Sequence, residues 1–276
     1  MITNKYEFIE KINSGSFGSI YKGKNKRTGE LVAIKTEIKN NDIKTLKAEA
    51  KLYQYFGKLD GFPQLKWFGT TNNINYLVID LLGNSLKNII IIYKLLRLKS
   101  VIQIGVQMIK LIECLHKKYL LHRDIKPDNF LFGLDNKLTK LHIIDFGLCK
   151  RYEYENGHIE ENKISKIIGT PNFVSLNVHR GIEPSRRDDI ESCIYILLYL
   201  YFGKLEWEEC KTNIEIFSKK EKIVETEDVP MFIKNLLYYV RFLKFNEKPD
   251  YEYIINTMKK VYTDNGFIED NVYEWN

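Results

Sequence analysis

At 276 residues the chain can bury a substantial core, yet it lies near the size at which single cores begin to split, so one domain with two lobes is expected. With 44% hydrophobic and 28% charged residues it has the make-up of an ordinary globular protein, which sets aside disordered, fibrous and repeat classes. A net charge of +6 is mild, and no run of five like charges marks a nucleic-acid-binding arm; the charge weakly favours acidic or phosphorylated partners.

The N-terminus, Met1 to Lys5, lacks the apolar core of a signal peptide and has Ile2 where myristoylation needs glycine. From Tyr6 to Leu82, short apolar runs rich in β-branched and aromatic residues alternate with glycines around one helical segment, a small and mostly β lobe. Within it, Asn13-Ser14-Gly15-Ser16-Phe17-Gly18-Ser19-Ile20 lies between two predicted strands, whereas a dinucleotide-binding fingerprint would open a helix. Its glycines would let backbone amides approach phosphates closely; a plain hairpin turn is the alternative. Val32-Ala33-Ile34-Lys35 is an apolar strand that carries one ammonium into the predicted cleft, where desolvation demands an anionic partner such as phosphates or a carboxylate. The following helix is expected to start near Asp42, a good N-cap, with Ile43, Leu46, Ala50 and Tyr53 on one face. Glu49 falls within that apolar face and needs a cation, for which Lys35 is the natural candidate; an exposed glutamate on a wide helix face is the alternative.

Ile79-Asp80-Leu81-Leu82-Gly83-Asn84 passes from strand to turn and reads as a hinge. Beyond it the pattern lengthens to helical periods, with Val101, Ile104, Met108, Leu111, Ile112 and Leu115 on one face of a helix ending near Lys118, so the second lobe is larger and helical. A cleft between lobes is a common place for a ligand. Next comes His122-Arg123-Asp124-Ile125-Lys126-Pro127-Asp128-Asn129, followed by Asp145-Phe146-Gly147. These are the parts that phosphoryl transfer needs. Asp124 is the candidate base for an acceptor hydroxyl, Lys126 would neutralise the transferring group, and Asn129 and Asp145 would hold two Mg²⁺ ions across nucleotide phosphates. Phe146 would pack to keep Asp145 aimed, and His122 reads as a structural histidine because Asp124 already fills the base role.

Further on, Ser165 and Thr170 are loop residues for which nothing in the sequence requires phosphorylation. The most apolar stretch, Ile190 to Phe202, carries Glu191 and is too short to span a bilayer, so it is expected to be a buried helix. Asp189 opens it and is expected to accept N–H bonds beneath the catalytic run, with a helix cap as the alternative. Cys114, Cys149, Cys193 and Cys210 lie far apart without metal-ligand or redox-motif spacing and read as reduced thiols, which points to a cytoplasmic or nuclear compartment. No membrane or nucleic-acid partner is expected.

The two motifs together form the protein-kinase signature, and the chain from Tyr6 to its end resembles the casein kinase I family of serine/threonine kinases. The resemblance rests on Leu81 to Leu86, the catalytic run continuing into Phe130-Leu131, Glu161-Asn162-Lys163, Gly181 to Asp189, and Lys248 to Tyr251. It rests above all on Ser175-Leu176-Asn177, where most kinases carry Ala-Pro-Glu and this family carries Ser-Ile-Asn. It implies an α+β, bilobal protein-kinase fold over residues 1–276, with a small β-rich N-lobe and hinge over 1–82 and a larger, mainly helical C-lobe over 83–276. It implies ATP bound by Ile12, Asn13, Ser14, Gly15, Ser16, Phe17, Gly18, Ser19, Ile20, Ala33, Lys35, Glu49 and Leu131. Backbone groups of Asp80 and Leu82 would meet the adenine, with Ile79 as gatekeeper. Lys126, two residues after Asp124, also resembles the serine/threonine type. Acidic or previously phosphorylated protein substrates are implied, with Arg123, Lys150 and Lys163 as a candidate anion pocket; ordinary surface charge is the alternative.

Three departures qualify this picture. Asn13 replaces the first glycine of the kinase loop and is expected to be tolerated because asparagine accepts left-handed backbone. Gly169-Thr170-Pro171-Asn172-Phe173 lacks the family's arginine after Gly-Thr-Ala, and the basic loop between the Trp207 region and the next helix reads as shortened to Ile214 to Pro230. Activity on acidic substrates that depends less on a prior phosphate is therefore expected. A monomer is expected, and with the chain stopping at Tyr273 to Asn276, so is an enzyme that needs no release of a tail. The alternatives are a pseudokinase scaffold and an enzyme of the vaccinia-related kinase branch; a small-molecule kinase fits less well, since Gly169 to Asn177 resembles a platform for an extended peptide.

Overall fold

The computed structural model describes residues 2–15, 18–39, 45–268 and 270–275. Its residues group into two compact units, one of Met1–Asn84 with Leu131–Gly147, the other of Ser85–Phe130 with Leu148–Asn276. The first is built on a β-sheet and the second on helices, a mixed α+β fold.

In the first unit a short helix α1 (Ile2–Lys5) leads into β1 (Tyr6–Gly15), β2 (Gly18–Asn25) and β3 (Leu31–Ile38). Helix α2 (Thr45–Phe56), β4 (Leu65–Thr71) and β5 (Ile74–Asp80) follow. The five strands form one antiparallel sheet in the order β1-β2-β3-β5-β4. Side chains alternate across a strand, and in β3 this puts Val32 and Ile34 into a core with Ile2, Tyr6 and Val78. The other face of the same strand carries Ala33 and Lys35. In α2, Leu46, Ala50, Tyr53 and Phe56 are buried at helical spacing, as expected. The expected cap at Asp42, along with Ile43, Ser16 and Phe17, lies outside the described residues. After the sheet, the Gly83 N–H donates to Phe132 O and the Phe132 N–H to Asn84 O, both within this unit. Residues 131–147, which the sequence assigns to the later lobe, thus cluster with the sheet.

The second unit carries the helices α3 (Leu86–Tyr93), α4 (Leu98–His116), α5 (Leu176–His179), α6 (Arg186–Phe202), α7 (Asn213–Lys222), α8 (Met231–Phe242) and α9 (Tyr251–Asp264), together with short strands and turns. Helix α4 packs on α6 and α9, and α6 on α8. Every residue of α6 from Arg186 to Leu200 is buried, so this helix is the hub of the unit. It starts earlier than expected, because Ser185 and Asp188 form a capping box. Asp189 therefore lies inside the first turn and is not the cap. The stretch Ile214 to Pro230, expected to be a basic loop, instead contains most of α7, whose own capping box is Thr212 with Glu215. At the start of α4 the Glu274 carboxylate accepts from the Arg97 N–H at 2.6 Å and from the Ser100 hydroxyl at 2.5 Å, satisfying donors that the helix leaves free. Among the described residues no helix is long and apolar enough to cross a membrane.

Candidate active site

In the first unit the charged centre is Lys35. Its Nζ lies 2.8 Å from Glu49 Oε2 and 2.8 Å from Asp145 Oδ1. Glu49 is only 2% exposed, so the carboxylate predicted to need a cation has one. Burial alone would lower the pKa of Lys35, but the charges of Glu49 and Asp145 outweigh it and hold the ammonium above its usual range. Burial pushes the Glu49 carboxyl up, with Lys35 pulling against it.

Asp145 is set by the residues around it. Its backbone takes φ 65°, a left-handed conformation that a non-glycine residue holds only when its surroundings impose it. The Asp145 N–H donates to the Tyr53 hydroxyl at 3.3 Å. Next to it, Phe146 is buried among Tyr53, Phe56 and Phe62, with ring centroids 5.0, 4.7 and 5.9 Å away. This aromatic nest fixes the backbone that turns the Asp145 carboxylate toward Lys35. The sequence expected Phe146 to pack in this way; the part of Tyr53 as a hydrogen-bond partner it did not show.

The strand register gathers the other expected nucleotide residues. Ile20 pairs with Lys35 and Ala33 pairs with Ile79, so these four share the sheet face opposite the Val32 and Ile34 core. The Asp80 N–H donates to Gln64 O and its carboxylate is 2.9 Å from Lys66, while Leu82 and Leu131 are half-buried. In the hairpin, Gly18 has no substitute: a Cβ there would lie 1.7 Å from Thr36 O. Asn13 corrects its expectation. It sits in the extended ladder opposite Ile20, with Ser14 opposite Ser19 and Gly15 opposite Gly18, and its side chain accepts the Ser14 N–H at 2.8 Å, so no left-handed backbone is involved. Ile12 in the same strand is exposed.

In the second unit the centre is Asp124, 8% exposed. Lys126 Nζ lies 2.6 Å from Asp124 Oδ2, and the Thr170 hydroxyl donates to Oδ1 at 2.8 Å. Asn129 donates its Nδ2 to Asp124 O at 2.8 Å, which leaves its amide oxygen as the group suited to a cation. Thr170 is the member of this set that sequence reasoning missed, because 46 residues separate it from Asp124. Its neighbour Gly169, φ 100°, passes so close to the run from His122 to Asn129 that a Cβ would lie 2.5 Å from Arg123 O.

Beneath the run, Asp189 accepts the His122 N–H at 2.7 Å and the Arg123 N–H at 2.9 Å. This is the role expected of it. These bonds hold Arg123 at φ 67°. His116 Nε2 lies 3.0 Å from Asp189 Oδ2; burial lowers the pKa of His116 despite that carboxylate. Burial also opposes charge on Asp189, yet the hydrogen bonds and the histidines prevail and keep it below the usual carboxylate range. His122 is fully buried, and its Nδ1 is 3.3 Å from the Asp124 N–H that donates to it, in keeping with a structural histidine.

The candidate anion pocket comes together around a carboxylate. Arg123 Nη1 and Lys150 Nζ lie 3.3 and 2.9 Å from the same oxygen of Glu183, and Arg123 Nε donates to Leu148 O at 2.7 Å. Lys163 forms a backbone bridge with Ile182, the chain neighbour of Glu183, which does not place its ammonium in the cluster. Glu183 was quoted in the sequence only within a family-like segment, and nothing there marked it as the partner of two cations.

Among the described residues there is no group of three or more His, Cys, Asp or Glu side chains that could hold a metal. Magnesium needs no such cage, since it is held by one or two carboxylates together with nucleotide phosphates. Each unit by itself offers one group of the kind such an ion takes, the Asp145 carboxylate in the first and the Asn129 amide oxygen in the second. The family model of the protein kinase domain matches residues 6–260, nearly the whole chain, and the chain belongs to that family.

Proposed function

We propose that this protein kinase is an active serine/threonine kinase of casein kinase I type, moving the γ-phosphate of ATP to hydroxyls of acidic protein substrates. The observation that carries the proposal is the setting of Asp124, one carboxylate oxygen on Lys126 and the other on Thr170. A base so held keeps its orientation while Oδ1, which accepts only from Thr170 among the described residues, retains a lone pair for a substrate hydroxyl.

The parts then take these roles. Lys35, charged because Glu49 and Asp145 hold it so, engages the α- and β-phosphates. The face with Ile20, Ala33 and Ile79 receives the adenine, and the glycine hairpin covers the phosphates. When bound, magnesium neutralises charge on the β- and γ-oxygens, and Asp145 and Asn129 are the residues that would hold it. Asp124 accepts the proton of the attacking serine or threonine hydroxyl, and Lys126 balances charge on the transferring phosphoryl group. Acidic rather than strictly phosphorylated substrates are favoured because Glu183 already compensates Arg123 and Lys150, which lowers the need for a substrate phosphate at that point.

A peptide array with ATP and Mg²⁺, holding serine, threonine and tyrosine acceptors with and without an upstream phosphoserine, tests this reading. Transfer to serine and threonine in acidic contexts with only a small primed advantage is expected. A large primed advantage contradicts the substrate part. Nucleotide binding with no transfer to any peptide overturns the activity and leaves a pseudokinase scaffold.

A further inference from the structure

Helix α7, with Ile223 just past its end, places Ile216, Lys220 and Ile223 on one buried face, so the middle position of an apolar stripe is a lysine. Lys220 is fully buried and forms no ion pair with a carboxylate among the described residues. Its Nζ donates to Pro171 O at 2.7 Å and to Val174 O at 2.6 Å, and lies 3.2 Å from His179 Nε2. The rings of Tyr195 and Trp207 flank it at 4.7 and 5.5 Å. Trp207, also fully buried, donates its Nε1–H to Asn172 O at 2.8 Å. Three carbonyls of one short turn are thus gripped by two side chains from the Trp207 to Lys220 region.

That turn starts at Thr170, whose carbonyl accepts the N–H groups of Phe173 and Val174 and whose hydroxyl donates to Asp124. The clamp has its own anchor: Arg241 donates to Lys220 O at 2.8 Å and pairs with the buried Glu191 at 3.2 Å. Burial pushes the pKa of Lys220 well below its usual value, with Glu191 pulling against it.

We propose that Lys220 and Trp207 are positioning residues that fix the Thr170 to Val174 turn against Asp124 and thereby set the affinity for the peptide acceptor. This rests on the kinase reading for its kinetic arm only. Lys220→Met keeps the length and removes the donors, Lys220→Arg restores donors, and Trp207→Phe keeps a ring but loses the N–H. For each, KM for peptide, KM for ATP, melting temperature and hydrogen exchange of residues 169–177 are measured.

Lys220→Met is expected to raise the peptide KM by about tenfold, the scale of two lost buried hydrogen bonds, with the ATP KM within about twofold. Lys220→Arg is expected to recover most of the loss, and Trp207→Phe to show a smaller shift of the same kind. Exchange should quicken in 169–177 more than elsewhere in either clamp variant. Equal changes in both KM values, or exchange that rises uniformly as the melting temperature falls, overturns the clamp. If the wild type phosphorylates no peptide, the kinase reading fails while the exchange arm still decides the clamp.

Discussion

Lys35 and Asp124 are both charged groups in sheltered settings, but they are held in different ways. Lys35 is fixed by charge against charge, with carboxylates contributed by α2 and by a segment 110 residues away. Asp124 has a single charge partner, Lys126, and is otherwise fixed by hydrogen bonds, from Thr170 on its side chain and from Asn129 on its backbone, on a run whose own N–H groups end on the buried Asp189. The first arrangement is a compensated charge set, in which removing one member strands another. The second is a scaffold, in which removing one member shifts a geometry. The first can be relieved of its strain by a second substitution, whereas the second needs its donors and acceptors back.

The largest effect should come from the charge set. Lys35→Met leaves Glu49 buried without its cation, and breaking a buried pair costs about 3–5 kcal/mol, toward the lower end here because Lys35 keeps some exposure. Transfer should be lost together with the stability. Adding Glu49→Gln should recover most of the melting temperature and none of the activity, which separates compensation from catalysis. If the double variant stays as unstable as the single one, the charge-set description is wrong.

Asp189→Asn should have a smaller effect of the opposite kind. It keeps one carbonyl acceptor for the N–H groups of His122 and Arg123 but loses the charge, at roughly 1–3 kcal/mol. The kcat should fall with the ATP KM unchanged. An unchanged kcat would remove Asp189 from the scaffold.

The smallest effect concerns pH. Burial pushes the Asp188 carboxyl from the ordinary 3.8 up to about 6, against the hydrogen bond from Ser175. The folded state therefore holds this proton more tightly than the unfolded state. The contribution of Asp188 to stability is fully present below about pH 4 and is lost as pH rises through about 6. Denaturant unfolding across that window should show wild type losing stability relative to Asp188→Asn as pH increases. Parallel curves would contradict the shifted carboxyl.

How well the sequence could be read follows the same division. The partnership of Lys35 with Glu49 was visible because a charge in an apolar strand or on an apolar helix face states its need for a partner, whereas the bond from Lys35 to Asp145 was not. The part of Asp189 as an acceptor for backbone N–H groups was visible from its place at the head of an apolar helix. What stayed hidden were charged residues that turned out to be interior. Arg186 to Asp189 are all buried, so α6 begins four residues before its apolar stretch. Lys219, Lys220 and Lys222 made α7 read as a basic loop, although Ile216, Lys220 and Ile223 carry a helical period. Thr170 and Glu183 were hidden for another reason, since a polar side chain in a loop announces no partner until the chain is folded. Asn13 failed differently: its side chain satisfies a neighbouring N–H in an extended strand, where sequence suggested a turn.

Asp124 is the residue on which the proposed transfer depends most. The direct test is single-turnover transfer from ATP to a serine peptide, with Mg²⁺, by wild type and by Asp124→Asn, alongside nucleotide affinity for both. Measurable transfer by the wild type, a fall of roughly 10²- to 10⁴-fold in the variant, and unchanged nucleotide affinity are expected. Equal transfer rates by the two proteins would contradict Asp124 as the base.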